Sequence, residues 1–316
     1  MSFSLRVKNE ICRYTNMGRE EAAAELSAIM KVSGTLLLGG IRKFSFKIIT
    51  ENAPTARFLF KLLKNKFDMH SKILVKKSNS LKKNNVYEII ITEGENVRTL
   101  LKEVGILKEE EDVFSLDYSI PQNMVRTDLL KRAYIRGAFL GGGSISNPEK
   151  TYHLEFVTHN EIYAGDLSHL VNEYGLNSKI IQRKNSFIVY IKEGEQIADL
   201  LSIIGAYSAL LKLENIRIMK EMRNNVNRLV NCETANLSKT VNASVRQTES
   251  IKLIQKKIGL NRLPKNLREI AELRLNYPGE SLKELGEMLE PKVGKSGVNH
   301  RLRRIEKIAE ELRKER

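Results

Sequence analysis

The amino-acid sequence predicts an α+β chain. A duplicated αββαββα unit with pseudo-twofold symmetry is followed by an all-α helix-turn-helix domain. Three observations lead there. Segments of the first two thirds match one another in order. Each copy alternates between the two-residue apolar period of strands and the 3.6-residue period of helices. The last third has helical stripes and carries most of the excess positive charge.

The elements follow in chain order. Residues 1–20 open with an N-terminal helix, and residues 21–208 form the duplicated domain, with copies over about 21–107 and 129–208. A helix begun around Arg19 ends in Leu26–Gly34 (LSAIMKVSG), and a matching nonamer, Ile135–Gly143 (IRGAFLGGG), stands at the start of the second copy. Next, Phe44–Asn52 (FSFKIITEN) aligns with Tyr152–Asn160 (YHLEFVTHN); alternate apolar positions coincide and both end in Thr-x-Asn. Helices are expected over Ala53–Phe67 and 162–174, the first with Phe58, Leu59, Leu62, Leu63 and Phe67 at helical spacing. Ser71-Lys72-Ile73 matches Ser178-Lys179-Ile180. Strands over 86–92 and 186–192 are followed by Glu93-Gly94-Glu95 and Glu193-Gly194-Glu195, then by Leu-Leu and by Gly105 and Gly205. The polar, lysine-rich stretch 76–85 is extra length in the first copy, opposite Arg183–Asn185 in the second. Each copy thus reads helix, strand pair, helix, strand pair, helix.

Residues 209–256 read as a helical linker, with long helices and a polar interruption at Arg223–Asn236. Residues 257–316 read as three helices. Leu263, Leu267, Ile270, Ala271 and Leu275 mark one, with Pro264 near its start. Ser281-Leu-Lys-Glu284 is a capping box opening a short helix with Leu282, Leu285, Met288 and Leu289. Residues 290–295 turn the chain, and Ser296 is expected to cap a third helix with Val298, Leu302, Ile305, Ala309 and Leu312 on one stripe. A tight turn before a basic third helix is the helix-turn-helix pattern.

Composition bounds the chemistry. The 316 residues hold 53 Lys+Arg against 38 Asp+Glu, a net charge of +15, which points to a polyanionic partner. From Arg217 to Arg316 there are 23 basic and 13 acidic residues, so +10 of the excess lies in the last third. No apolar run is long enough for a membrane helix and the N-terminus lacks a signal-peptide stretch, so a cytoplasmic protein without membrane contact is expected. Cys12 and Cys232 are far apart, and the five histidines are scattered, with His153 and His159 the nearest pair; neither a disulfide framework nor a metal site is expected. Tryptophan is absent and aromatics are 6%, which argues against a base-stacking platform for single strands.

The two nonamers resemble the LAGLIDADG motif of homing endonucleases, and the αββαββα reading fits that fold. The resemblance implies paired motif helices at the pseudo-twofold axis, with acids near their ends holding a divalent metal over DNA. At the motif's sixth position this chain has Lys31 and Leu140. At the eighth, the family's metal-binding position, it has Ser33 and Gly142. Hard cations need carboxylate oxygens, so these degenerate positions predict no catalytic residues, no metal and no cofactor. The nearby acids, Glu25 and Asp128, are not at equivalent positions. The run Gly141–Gly143 lacks the ending of a phosphate loop and reads as close packing.

In the third C-terminal helix, steps of about 100° per residue place Ser296, His300, Arg303 and Arg304 opposite the apolar stripe, with Asn299 beside them. Ser296, Asn299 and His300 are candidates for base edges, Arg303 and Arg304 for guanine or phosphate, and Lys292 and Lys295 for phosphate. The order of parts, including the 231–236 stretch NCETAN, resembles the WhiA family of sporulation regulators in Gram-positive bacteria. That resemblance implies a catalytically silent LAGLIDADG-like domain joined to a helix-turn-helix similar to sigma factor region 4. It also implies sequence-specific control of transcription at promoter regions, linked to cell division and, in spore-formers, sporulation. Double-stranded DNA is the expected partner, with a second contact in the transcription machinery; a nucleoid-associated monomer is expected. The alternatives are an active endonuclease, and a protein-interaction scaffold with secondary DNA contact.

Overall fold

The computed structural model describes residues 1–38, 44–77, 85–92, 94–110 and 113–314. They form two compact units, 1–220 and 221–316. Most of the lysine-rich stretch 76–85, namely 78–84, lies outside the described residues.

The first unit begins with α1 (Phe3–Ile11), capped by the Ser2 side chain, and the motif helix α2 (Arg19–Ser33). Then come β1 (Gly34–Leu38), β2 (Phe44–Thr50), α3 (Ala53–Phe67), β3 (Ser71–Lys77), β4 (Asn85–Ile91) and α4 (Gly94–Glu103). A hairpin, β5 (Leu107–Glu110) and β6 (Val113–Leu116), separates the copies. The second copy runs α5 (Asp128–Gly142), β7 (Gly143–Ile145), β8 (Leu154–Thr158), α6 (Glu161–Asn172), β9 (Lys179–Arg183), β10 (Ser186–Ile191) and α7 (Gly194–Ile203). The two four-stranded antiparallel sheets have the same order, β1-β2-β4-β3 and β7-β8-β10-β9. The sequence repeat is therefore a repeat of topology.

The recurring residues have local reasons. Thr50 and Thr158 accept from the backbone N–H groups of Asn52 and Asn160, turning each strand into the helix that follows. Asn160 then caps α6 by accepting from the Tyr163 N–H at 3.0 Å. Gly105 and Gly205 end α4 and α7 at φ +67° and +79°. There the N–H groups of Ile106 and Ala206 reach back to the carbonyls of Leu101 and Leu201, both at 2.8 Å, a geometry that favours glycine. Inward faces follow the two-residue period: Phe46, Ile48, Ile89 and Ile91 from one sheet, and Leu154, Phe156, Val189 and Ile191 from the other, are buried.

The motif helices α2 and α5 form the centre. Ala24, Leu26, Ala28, Ala133, Ala138 and Phe139 are fully buried there. A Cβ on Gly137 would lie 2.2 Å from the Glu25 carbonyl oxygen. Only a residue without a side chain permits that approach.

Four sequence expectations change. The N-terminal helix ends at Ile11, not near residue 20. The β5–β6 hairpin was not anticipated, because Leu107–Glu110 is too charged to show strand alternation. The polar interruption at Arg223–Asn236 is absent: α8 (Tyr207–Lys257) is one helix of 51 residues. Neither glycine nor proline occurs in it, and each asparagine costs a helix only about 0.7 kcal/mol or less. The fourth concerns the C-terminal helices α9 (Lys265–Asn276), α10 (Leu282–Glu287) and α11 (Lys295–Lys314). Helix α11 starts at Lys295, with the Val298 N–H bonded to the Gly294 carbonyl, so Ser296 lies within the first turn and does not cap it. Met288, expected with the apolar stripe, is exposed, since α10 ends at Glu287; Leu285 within it and Leu289 after it are buried. Among the described residues no helix is long and apolar enough to cross a membrane.

Candidate nucleic-acid interface

The C-terminal unit is built around Ile251, Ile254, Leu267, Ile270, Leu285, Val298, Leu302 and Ile305. Arg274, only 2% exposed, donates to the carbonyls of Pro278 and Glu280, and Ser244 donates to the same Pro278 carbonyl. These bonds fix the turn before α10. The expected capping box is complete: the Ser281 hydroxyl accepts from the Glu284 N–H, and the Glu284 carboxylate accepts from the Ser281 N–H at 2.8 Å. The chain after α10 then folds back on Gly286. The Gly286 carbonyl accepts from the Val293 N–H at 3.0 Å, and a Cβ on Gly286 would sit 2.0 Å from the Val293 oxygen. Gly286 was missed in the sequence, although a lone glycine inside so short a capped helix is a visible signal.

This turn launches α11 with Val298, Leu302, Ile305 and Ala309 buried. Lys295, Ser296, His300, Arg303 and Arg304 are exposed on it, Asn299 is half-buried, and Lys292 is exposed in the preceding turn. All seven candidates therefore lie on or beside the N-terminal half of one helix. Among the described residues Lys292, Lys295, Arg303 and Arg304 form no ion pair. Arg301 is engaged with the Asn266 carbonyl, and Glu306 with Arg246, 3.1 Å away. The arrangement offers four uncompensated cations and three further hydrogen-bonding side chains to a polyanion.

The sixth and eighth positions of the two nonamers present different chemistry. The Ser33 hydroxyl donates to the Ile29 carbonyl. At Gly142 a Cβ would meet the Val157 oxygen and Val32 Cγ1, both at 2.5 Å, so packing leaves no room for an acid. Lys31 donates to the carbonyls of Gly105, Asp117 and Ser119 at 3.0, 2.6 and 2.7 Å. Burial pushes it down to about 8, with Asp117 and Asp166 opposing. Leu140 is buried. Of the acids near the motifs, Glu25 is fully buried and accepts from Arg136 Nε and Nη2 at 3.0 and 2.8 Å. Burial raises the Glu25 carboxyl and Arg136 opposes the rise. Asp128 accepts from Tyr174 and Arg132 on the surface. His153 and His159 point to separate partners, Glu155 and Ser186. Among the described residues no group of three or more His, Cys, Asp or Glu could hold a metal ion. A hydroxyl tied to backbone, a glycine and a lysine do not fit a hard divalent cation.

Comparison with known proteins matches three successive stretches of the chain. Residues 19–107 match the WhiA N-terminal LAGLIDADG-like domain, 131–223 the WhiA LAGLIDADG-like domain, and 226–309 the WhiA C-terminal HTH domain. A "Probable cell division protein WhiA" of Clostridium novyi is 72% identical over 315 residues, covering 100% of this chain and 99% of that protein. Its counterpart in Clostridium acetobutylicum is also 72% identical, with the same coverage. The crystal structure of full-length DUF199/WhiA from Thermotoga maritima superposes with a TM-score of 0.62 at 28% identity, over 98% of this chain and 99% of that one.

Proposed function

This chain belongs to the WhiA family, and from that premise we propose that it is a sequence-specific double-stranded-DNA-binding transcription regulator without nuclease chemistry. The observation that carries the reading is the face of α11. Exposed Lys295, Ser296, His300, Arg303 and Arg304 stand opposite a stripe that is fully buried. The first turns of such a helix, entering the major groove, bring Ser296, Asn299 and His300 to base edges and Arg303 and Arg304 to guanine or phosphate, while Lys292 and Lys295 meet phosphate. That the relatives are named probable cell division proteins supports a link to cell division, and the family resemblance extends this to sporulation in spore-formers. Promoter DNA in the nucleoid is the proposed location, with the transcription machinery as a second contact and a monomer as the binding form.

The test is a titration of the full chain against promoter-length duplexes over a range of salt. Replacing Arg303 and Arg304 with alanine should weaken binding by about 1–3 kcal/mol for each base edge left unbonded. It should also flatten the log–log salt slope by about 0.9 for each phosphate left without its cation. Unchanged affinity and slope would remove α11 from the interface. They would favour a scaffold whose DNA contact lies elsewhere. Incubation of the same duplexes with magnesium should leave them intact; cleavage would restore the endonuclease reading.

A further inference from the structure

DNA binding through α11 makes no use of a cleft of about 490 Å³ in the first unit, enclosed by α1, residues 12–17 and one face of α3. Its floor is apolar: Met17, Phe58 and Leu62 are each about 5% exposed. Its rim is cationic, with Arg13, Arg57 and Lys61 exposed and Lys66 half-buried. No Asp or Glu lines it. Arg57 and Lys61 stand at i,i+4 on α3, a like-charge spacing that on its own destabilises a helix. Among the described residues Arg13, Arg57 and Lys61 form no ion pair. Asn9, Thr15 and Asn65 add neutral hydrogen-bonding groups.

The walls are held in place before any ligand arrives. On α1, Lys8 donates to the Leu140 carbonyl at 3.1 Å, and Glu10 accepts from the N–H groups of Ser208 and Ala209 at 2.6 and 3.0 Å. Asn9 accepts from the Asn52 side chain, which precedes α3. Lys66 donates to the Met17 carbonyl at 2.6 Å and closes the far end. Such anchoring lowers the ordering cost of binding. Cys12, beside Thr55, is pushed up to about 11 by burial, so its thiol stays neutral near pH 7. The cleft is furnished for binding rather than for nucleophilic attack.

We propose that this cleft binds a small phosphorylated molecule with an apolar or planar body, the chemistry of a nucleotide. Arg13, Arg57 and Lys61 take the phosphates, and the Phe58–Leu62–Met17 floor takes the body. A volume of this size is within the range of small-molecule sites. Guanidinium groups suit phosphate oxygens through paired charge-assisted bonds. A duplex backbone would use the rim but leave the apolar floor empty, which favours the small ligand.

Calorimetric titration of the full chain tests this, with ATP as the probe and adenosine and inorganic pyrophosphate as its separated parts. ATP should bind saturably at one site, and each part should bind about tenfold or more weakly. Arg57→Ala with Lys61→Ala should weaken ATP by about tenfold or more, since each charge-assisted bond removed is worth that factor. Both side chains are exposed and repel one another on α3, so the melting temperature should not fall; Arg57→Glu provides a second variant with the same expectation. Arg303→Ala with Arg304→Ala should leave ATP binding as it was, which separates this site from α11. The proposal is overturned by an absence of saturation at about 1 mM, by pyrophosphate binding as tightly as ATP, or by equal affinity in the Arg57/Lys61 variant. It also falls if that variant loses affinity for duplex DNA but not for ATP.

Discussion

Lys31 occupies the sixth place of the first nonamer, and its ammonium donates to three backbone carbonyls. Lys8 plays a similar part, donating to the Leu140 carbonyl in the second nonamer. Burial lowers both lysines from 10.5 to about 8. Between these values the unfolded chain binds more protons than the folded one, so stability should rise with pH across that window. Urea unfolding of the wild type should therefore gain on Lys8→Met/Lys31→Met as pH is raised from about 8 to 10.5; a constant difference would refute the coupling. The sequence showed that Lys31 is the wrong residue for a metal. It did not show what the lysine does instead, because its three acceptors lie more than 70 positions away. The Glu25–Arg136 pair was equally illegible. Removing one partner of so buried a pair costs about 3–5 kcal/mol, which makes Glu25 a structural acid and not a spare ligand.

The elements were mostly legible, because their signals are local. Alternation marked β2 and β8, helical spacing marked α3, and the Ser281–Glu284 spacing marked the start of α10. What escaped were features decided by neighbours. Small residues in the nonamers predicted close packing of α2 and α5, but not which of them are indispensable. Gly137→Ala would drive a methyl group to 2.2 Å from the Glu25 carbonyl, and backbone cannot yield locally. We expect a loss of about 1–3 kcal/mol or more, the scale of overpacking in a dense core. Gly165→Ala is the control. Within α6 its Cβ would meet nothing inside 4 Å, so the substitution should stabilise by about 0.5–1 kcal/mol through helix propensity. Chemical denaturation of the two variants checks both, and equal effects would contradict close packing of the helix pair at Gly137. The 51-residue α8 shows the opposite limit. Its asparagines suggested a break, but weak propensities do not terminate a helix that contains neither proline nor glycine.

For the whole molecule, the proposed binding without cutting rests on charge and on packing at the nonamers. The sequence places +10 of the net +15 in the last third. The eighth positions of the two nonamers carry a bonded serine and a glycine sealed by Val157 and Val32. Placing acids there should therefore not confer cleavage. Ser33→Asp with Gly142→Asp is expected to lower the unfolding midpoint and leave duplex DNA uncut in magnesium, and cleavage by that variant would show that packing is not the barrier. By itself the sequence determined the duplication, the strands and helices common to its two copies, the absence of acids at the eighth nonamer positions and the polar face of α11. Each of these depends on residue type and on spacing along the chain. The tertiary structure alone decided that Gly142 has no room for a side chain, that Gly286 seats the turn before α11, and that Arg13, after α1, meets the cations of α3 around a cleft. Those facts depend on distances between residues remote in the chain, and periodicity carries no information about them.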